Sequence, residues 1–212
     1  MYISVEKYEE MYLLGKSPAQ LSDEINKIRR EIARAKNKLE SPANVYDNYA
    51  YPGETSAIDV YRAYLDTAMN YYAESEGVPC DLTEEEKASL IFDSSVSDIS
   101  CITLTVGRYL QDKYELTFSE GGAEIQEIHL GEAPISKSVD AEKTRRLVFA
   151  LHIGEWKENY TPEQYGCTIN EPTKWQLRID YSTKSAPRFY DGVGVFPYNF
   201  EALAKLLGAD II

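Results

Sequence analysis

The chain has 212 residues, 43% of them hydrophobic and 27% charged, with 12 glycines and 9 prolines. That length accommodates one large domain or two modest ones, and the composition excludes a disordered, fibrous or membrane-spanning chain, since no apolar run approaches the ~20 residues of a bilayer crossing. Lys and Arg number 22 against 35 Asp and Glu, a formal charge of −13, which disfavours direct binding to nucleic acid or anionic lipid because both attract clustered cations.

Helix chemistry dominates the first 96 residues. A short amphipathic segment runs from Ser4 to Leu14, with Val5, Tyr8, Met11 and Tyr12 at helical spacing and Gly15 as C-cap. Ser17-Pro-Ala-Gln20 is a capping box with Pro at the first helical position, so a helix begins there. Its apolar residues Leu21, Ile25, Ile28, Ile32, Ala35 and Leu39 make a heptad seam that Ser41-Pro42 stops. After Ser56 a second seam of Ile58, Tyr61, Leu65, Ala68 and Tyr72 runs to Gly77 and Pro79, which predicts an antiparallel helical hairpin joined by residues 41–55. Thr83-Glu-Glu-Glu86 caps a third helix, docked by Ala88, Leu90 and Ile91.

From about Ser97 the period changes to two. Residues 101–106, 113–118 and 123–128 alternate as a strand meander, and Lys174–Tyr181 alternates without a break, with Arg188–Tyr190 as its hairpin partner. Between these lies a helix over 140–156 that buries Leu147, Ala150 and Leu151 and leaves Arg145 and Arg146 outside. A last helix over 199–207 turns Phe200, Leu203, Leu206 and Leu207 inward. The predicted fold class is α+β: an N-terminal helical hairpin or bundle over 1–96, then, over 97–212, an antiparallel sheet with helices on one face in the order βββαββα. Cys80, Cys101 and Cys167 form neither a disulfide framework nor a CxxC pair, and neither end carries a leader or lipidation motif, so the expected location is the cytoplasm.

Several groups of residues are candidates for function. The only two histidines stand in matching tetrapeptides, His129-Leu-Gly-Glu132 and His152-Ile-Gly-Glu155; on helices, each pair would share a face and the four side chains would form a two-His, two-carboxylate metal site. Against this, glycine weakens a helical display, the first copy ends a strand, and His152 lies beside an apolar stripe. No nucleophile elbow or P-loop is present, Gly192-Val-Gly194 lacks a third glycine, nothing pairs Cys167 with a histidine, and no motif requires a cofactor. The bases of 24–38 outnumber its acids by four, whereas Glu54–Glu86 holds nine acids against Arg62. Two readings stand: the helices neutralise one another along their flanks, or Asp59, Asp66, Glu74 and Glu76 remain outward for a basic groove on another protein, as a nucleic-acid mimic would present them. Tyrosine is the second anomaly, 17 in all, with Tyr46, Tyr49 and Tyr51 in the connection; these either fold back on the hairpin or form a binding face with the acids.

Leu151-His-Ile-Gly-Glu-Trp156, Tyr160, Gly166, Trp175–Tyr181, Tyr190-Asp-Gly192 and Phe196-Pro-Tyr-Asn-Phe200, with Tyr2-Ile-Ser, Tyr12–Ser17 and Ile28–Lys36, resemble a family of small uncharacterised proteins of Gram-positive, gut-type bacteria and their mobile elements. The resemblance spans most of the chain and implies no activity. The leading expectation is a non-enzymatic acidic protein-binding module, in one form a mobile-element-encoded inhibitor occupying the basic nucleic-acid-binding groove of a host protein. The alternatives are a metal-dependent enzyme built on the two His-x-Gly-Glu motifs and a structural homodimer joined through the heptad seams.

Overall fold

Ser17 and Gln20 exchange their capping bonds: the Gln20 amide donates to Ser17 Oγ at 3.4 Å and the Ser17 amide to Gln20 Oε1 at 3.0 Å. In the computed structural model, which describes residues 2–42 and 52–209, this cap opens α2 (Pro18–Glu40), between α1 (Val5–Tyr12) and α3 (Pro52–Glu76). Leu21, Ile25, Ile28 and Ile32 are buried along α2, and Ala57, Ile58, Tyr64, Leu65 and Ala68 along α3, where the two helices pack as the predicted hairpin. Seven of the eleven seam residues that a dimer through these helices would use are therefore buried within one chain. Beyond Ile32 the buried side turns to Lys36 and Glu40, with Ala35 and Leu39 half-buried.

The chain divides into two compact units, 1–82 and 83–212. The second opens with the predicted capping box, in which the Thr83 amide donates to Glu86 Oε2 at 2.7 Å and the Glu86 amide to Thr83 Oγ1 at 3.2 Å, and α4 (Glu84–Ser95) follows. The sequence boundary at 96/97 assigns this helix to the N-terminal half; by its contacts it belongs to the second. The reason is Gly154, whose Cα lies so close to α4 that an added Cβ would stand 2.6 Å from Phe92 Cβ and 2.7 Å from Ala88 O and Ser89 Cα. The inward side of α4 is accordingly Ser89, Phe92 and the following Val96, while Leu90 and Ile91, the expected docking residues, are exposed.

The sheet comprises β1 (Ile99–Gly107), β2 (Asp112–Ser119), β3 (Gly122–Ile128), β4 (Ile135–Val139), β5 (Asn159–Tyr160), β6 (Lys174–Tyr181) and β7 (Arg188–Val193), in the order β4-β3-β2-β1-β6-β7-β5. All its pairings are antiparallel except β5 with β7, so the fold is α+β as predicted, with two further edge strands and one parallel pair. Leu104 sits between Tyr114 of β2 and Leu177 of β6, and with Ile102, Leu116, Trp175 and Ile179 these residues line the face covered by α5 (Ala141–Ala150) and α6 (Phe200–Leu207). The first of these helices ends at Ala150 and buries Thr144 and Val148, not Leu147. Its Arg145 is not outside: the guanidinium donates to Val96 O and to Ile99 O at 2.6 and 3.1 Å and lies 3.9 Å from the Phe118 ring centroid. Among the described residues no helix is long and apolar enough to cross a membrane.

Candidate functional site

The two His-x-Gly-Glu tetrapeptides have different geometries. His129-Leu-Gly-Glu132 is the turn leaving β3, closed by the Glu132 amide donating to His129 O at 3.2 Å, with Gly131 at φ +85°. His152-Ile-Gly-Glu155 follows α5, with His152 itself in the left-handed region at φ 46° and Gly154 against α4. Glu155 accepts from the Tyr198 hydroxyl at 3.2 Å. His129, Glu132, His152 and Glu155 do not form one cluster, and among the described residues no group of three or more His, Cys, Asp or Glu side chains is arranged to hold a metal ion.

His129 instead joins two carboxylates that the sequence gave no reason to single out. Its Nδ1 is 2.8 Å from Asp112 Oδ1, at the start of β2, and its Nε2 is 2.7 Å from Glu127 Oε1. The three side chains are about one-third exposed, and the ring meets Tyr114 edge-on. A neutral imidazole has a single N–H and satisfies one carboxylate; the imidazolium satisfies both. The hydrogen bonds to Asp112 and then to Glu127 raise the His129 pKa above its ordinary value. One ring nitrogen faces each acid, so the carboxylates lie on opposite edges of the ring, an arrangement that fixes a proton but not a metal.

On α3 the predicted acids are outward. Asp59, Asp66, Glu74 and Glu76 are all exposed. At 3.6 residues per turn, Asp59, Asp66 and Glu74 fall in one sector of the helix, opposite Ala57, Tyr64 and Ala68. Arg62 reaches Asp59 at 3.3 Å, while on α2 Lys27 pairs with Glu24 at 3.2 Å and Arg34 with Glu31 at 2.9 Å, each within its own helix. These exposed contacts three residues apart contribute only a few tenths of a kcal/mol each.

Tyr46, Tyr49 and Tyr51 lie outside the described residues. Other tyrosines of the first unit hold α1 to the hairpin. Tyr8 stacks on Tyr64 with centroids 4.1 Å apart, Tyr12 stacks on Tyr8, and Tyr2 meets Tyr61 edge-on. The Tyr64 hydroxyl donates to Ile3 O at 2.5 Å and accepts from the Ile3 amide at 3.2 Å. Tyr8 donates to Glu24 at 2.8 Å, and burial together with this bond drives its pKa far above the usual phenol value; Tyr71 donates to Glu9, which also raises its pKa.

Several of the aromatic residues singled out in the sequence, Trp156, Tyr160, Trp175, Tyr190 and Phe200, are core. Trp156 Nε1 donates to Asn199 Oδ1 at 2.8 Å, Asn199 Nδ2 donates to Leu151 O, and Trp175 Nε1 donates to Val195 O at 2.7 Å. Gly192 leaves room for the Trp175 ring, which an added Cβ would approach to 2.4 Å. These side chains build a scaffold and present no reacting group. Comparison of the chain with protein-family models, with curated proteins and with solved structures returns no match.

Proposed function

We propose that the protein is an acidic protein-binding module whose contact surface includes the outward side of α3, with a basic partner. The single observation that supports this reading is the outward sector of Asp59, Asp66 and Glu74, continued by Glu76 at the helix end. Helix stability alone does not favour that placement. Glu74 and Glu76 stand in the last turns, where the macrodipole is negative and repels carboxylates, and the last turn holds no basic residue. Outward acids of this kind accelerate encounter with a positive groove. In its narrower form, motivated by the family resemblance, the module is a mobile-element inhibitor covering the nucleic-acid groove of a host protein.

The test is binding to a panel of purified basic nucleic-acid-binding proteins at low and physiological salt, with a variant carrying Asp59, Asp66, Glu74 and Glu76 as Lys. The expected result is a complex with at least one panel member that weakens with salt, is lost in the variant and excludes nucleic acid from the partner. Complexes unchanged in the variant, or none at low salt, would overturn the reading.

A further inference from the structure

We propose that α1 is a strap lying in a binding seat on the α2–α3 hairpin, and that a helix of another protein displaces it by repeating its three contacts. This goes beyond the reading of α3 as an acidic face, because Tyr64, at the centre of the seat, lies opposite the acidic sector. The contacts define the visitor. Tyr8 stacks on Tyr64 with centroids 4.1 Å apart and donates to Glu24 of α2 at 2.8 Å. Its neighbour Glu9 accepts from the Tyr71 hydroxyl of α3. Ahead of the helix, the amide and carbonyl of Ile3 meet the Tyr64 hydroxyl at 3.2 and 2.5 Å. A visiting helix therefore carries a tyrosine followed by a carboxylate and, just ahead of its first turn, a backbone N–H and C=O that no helical bond uses.

The make-up of this contact is that of a surface that opens. With eight residues, α1 is shorter than the ~12–15 that a helix needs to persist alone in water, so docking holds it together. Docking engages little of the segment: Tyr8 and the following Leu13 are buried, while Tyr2, Met11, Tyr12 and Leu14 are exposed. The hairpin beneath is built differently. There α2 and α3 meet through aliphatic side chains, Ile25, Ile28 and Ile32 on one helix and Ile58, Leu65 and Ala68 on the other, a contact that does not pass through α1. The seat itself is phenolic. Once bare, the Tyr64 and Tyr71 hydroxyls and the Glu24 carboxylate bond to water, so uncovering it strands no polar group and costs less than uncovering an aliphatic one. Gly15, at φ +69° in the turn from α1 to α2, stands in open space, where the turn has room to move.

The strap sets a threshold for binding. A visitor meets the seat only for the fraction of time that α1 is undocked, and its apparent affinity falls by that fraction. Only a helix that matches the three contacts at high local concentration, or that improves on them, takes the place of α1.

The probe is a fluorescent synthetic peptide of residues 2–14, titrated with the full chain. The resident strap competes at the millimolar effective concentration of a short tether, so the peptide binds the wild type weakly. It is expected to bind at least tenfold more tightly to Tyr8→Ser, whose own strap has lost the ring on Tyr64 and the bond to Glu24. Ile3→Pro, which removes the amide that meets the Tyr64 hydroxyl and leaves every side chain of the seat in place, is expected to gain severalfold. A peptide carrying Tyr8→Ser does not bind. The 222 nm helix signal checks that both variants stay folded, and amide exchange of the wild type is expected to show residues 4–14 opening ahead of α2 and α3. No gain in either variant, equal binding by the parent and substituted peptides, or residues 4–14 that open only together with α2 and α3 would each overturn the proposal. Wild-type dimers that exchange α1 between copies would assign the seat to a second copy and overturn docking of a foreign helix.

Discussion

His129 is held by two acids, and its proton count sets how well it holds them. The bonds to Asp112 and Glu127 raise its pKa, so the folded chain keeps the imidazolium to higher pH than an unfolded chain with a pKa near ~6.5. The resulting stabilisation is complete below the unfolded value and is lost as pH rises through the folded one. His129→Gln is therefore expected to be less stable than the wild type near pH 6, with the gap narrowing by pH 9 in urea titrations; His152 is common to both chains and cancels. A gap constant across that range would mean that the proton plays no part. The sequence does show both histidines, but their matching tetrapeptides point toward each other as metal ligands. The actual partner Asp112 is 17 positions away, across a strand pairing that no local spacing encodes.

At the scale of elements, legibility follows the strength of the periodic signal. β6 is read to the residue because Trp175, Leu177 and Ile179 alternate with exposed neighbours, and α2 because cap and seam agree. β4, Ile-Ser-Lys-Ser-Val, lies on the sheet edge with little to bury, and β5 is two residues long, so neither leaves a pattern. The face of α4 is misread in part: Ala88 lies against Gly154 as expected, but the inward side continues through Ser89, a small polar residue that a hydrophobic pattern discounts, and Phe92, while Leu90 and Ile91 are exposed. The tyrosine surplus is legible as an anomaly, but in α1 and α3 its use is internal. There the Tyr64 hydroxyl satisfies both backbone groups of Ile3, ahead of α1. Tyr64→Phe keeps the stacking on Tyr8 and leaves those groups without their partner. The expected result is a loss of ~1–2 kcal/mol, with faster amide exchange confined to residues 3–14. Exchange that quickens equally along α2 and α3 would show that the hydroxyl supports the whole bundle instead.

At the scale of the molecule, composition separates the two units spectroscopically. Both tryptophans, Trp156 and Trp175, lie in the second unit and pack on each other with centroids 6.2 Å apart, whereas α2 and α3, of 23 and 25 residues, supply the longest helices. Each unit has its own buried set, the seam residues in one and the sheet face in the other, so each carries the driving force for its own transition. Tryptophan emission should therefore report one urea midpoint and the 222 nm helix signal a further, different one. Salt distinguishes them again. Glu74 and Glu76 at the end of α3 oppose the helix dipole, while the second unit's acids at Glu84–Glu86 stand at a helix start, where the dipole favours them. Raising NaCl from ~0.05 to ~0.5 M shortens the screening length from ~14 to ~4 Å. That is expected to raise the helix-signal midpoint more than the tryptophan midpoint. Coincident midpoints that move together with salt would mean that the chain unfolds as one cooperative body and that Glu74 and Glu76 carry no strain against the helix dipole.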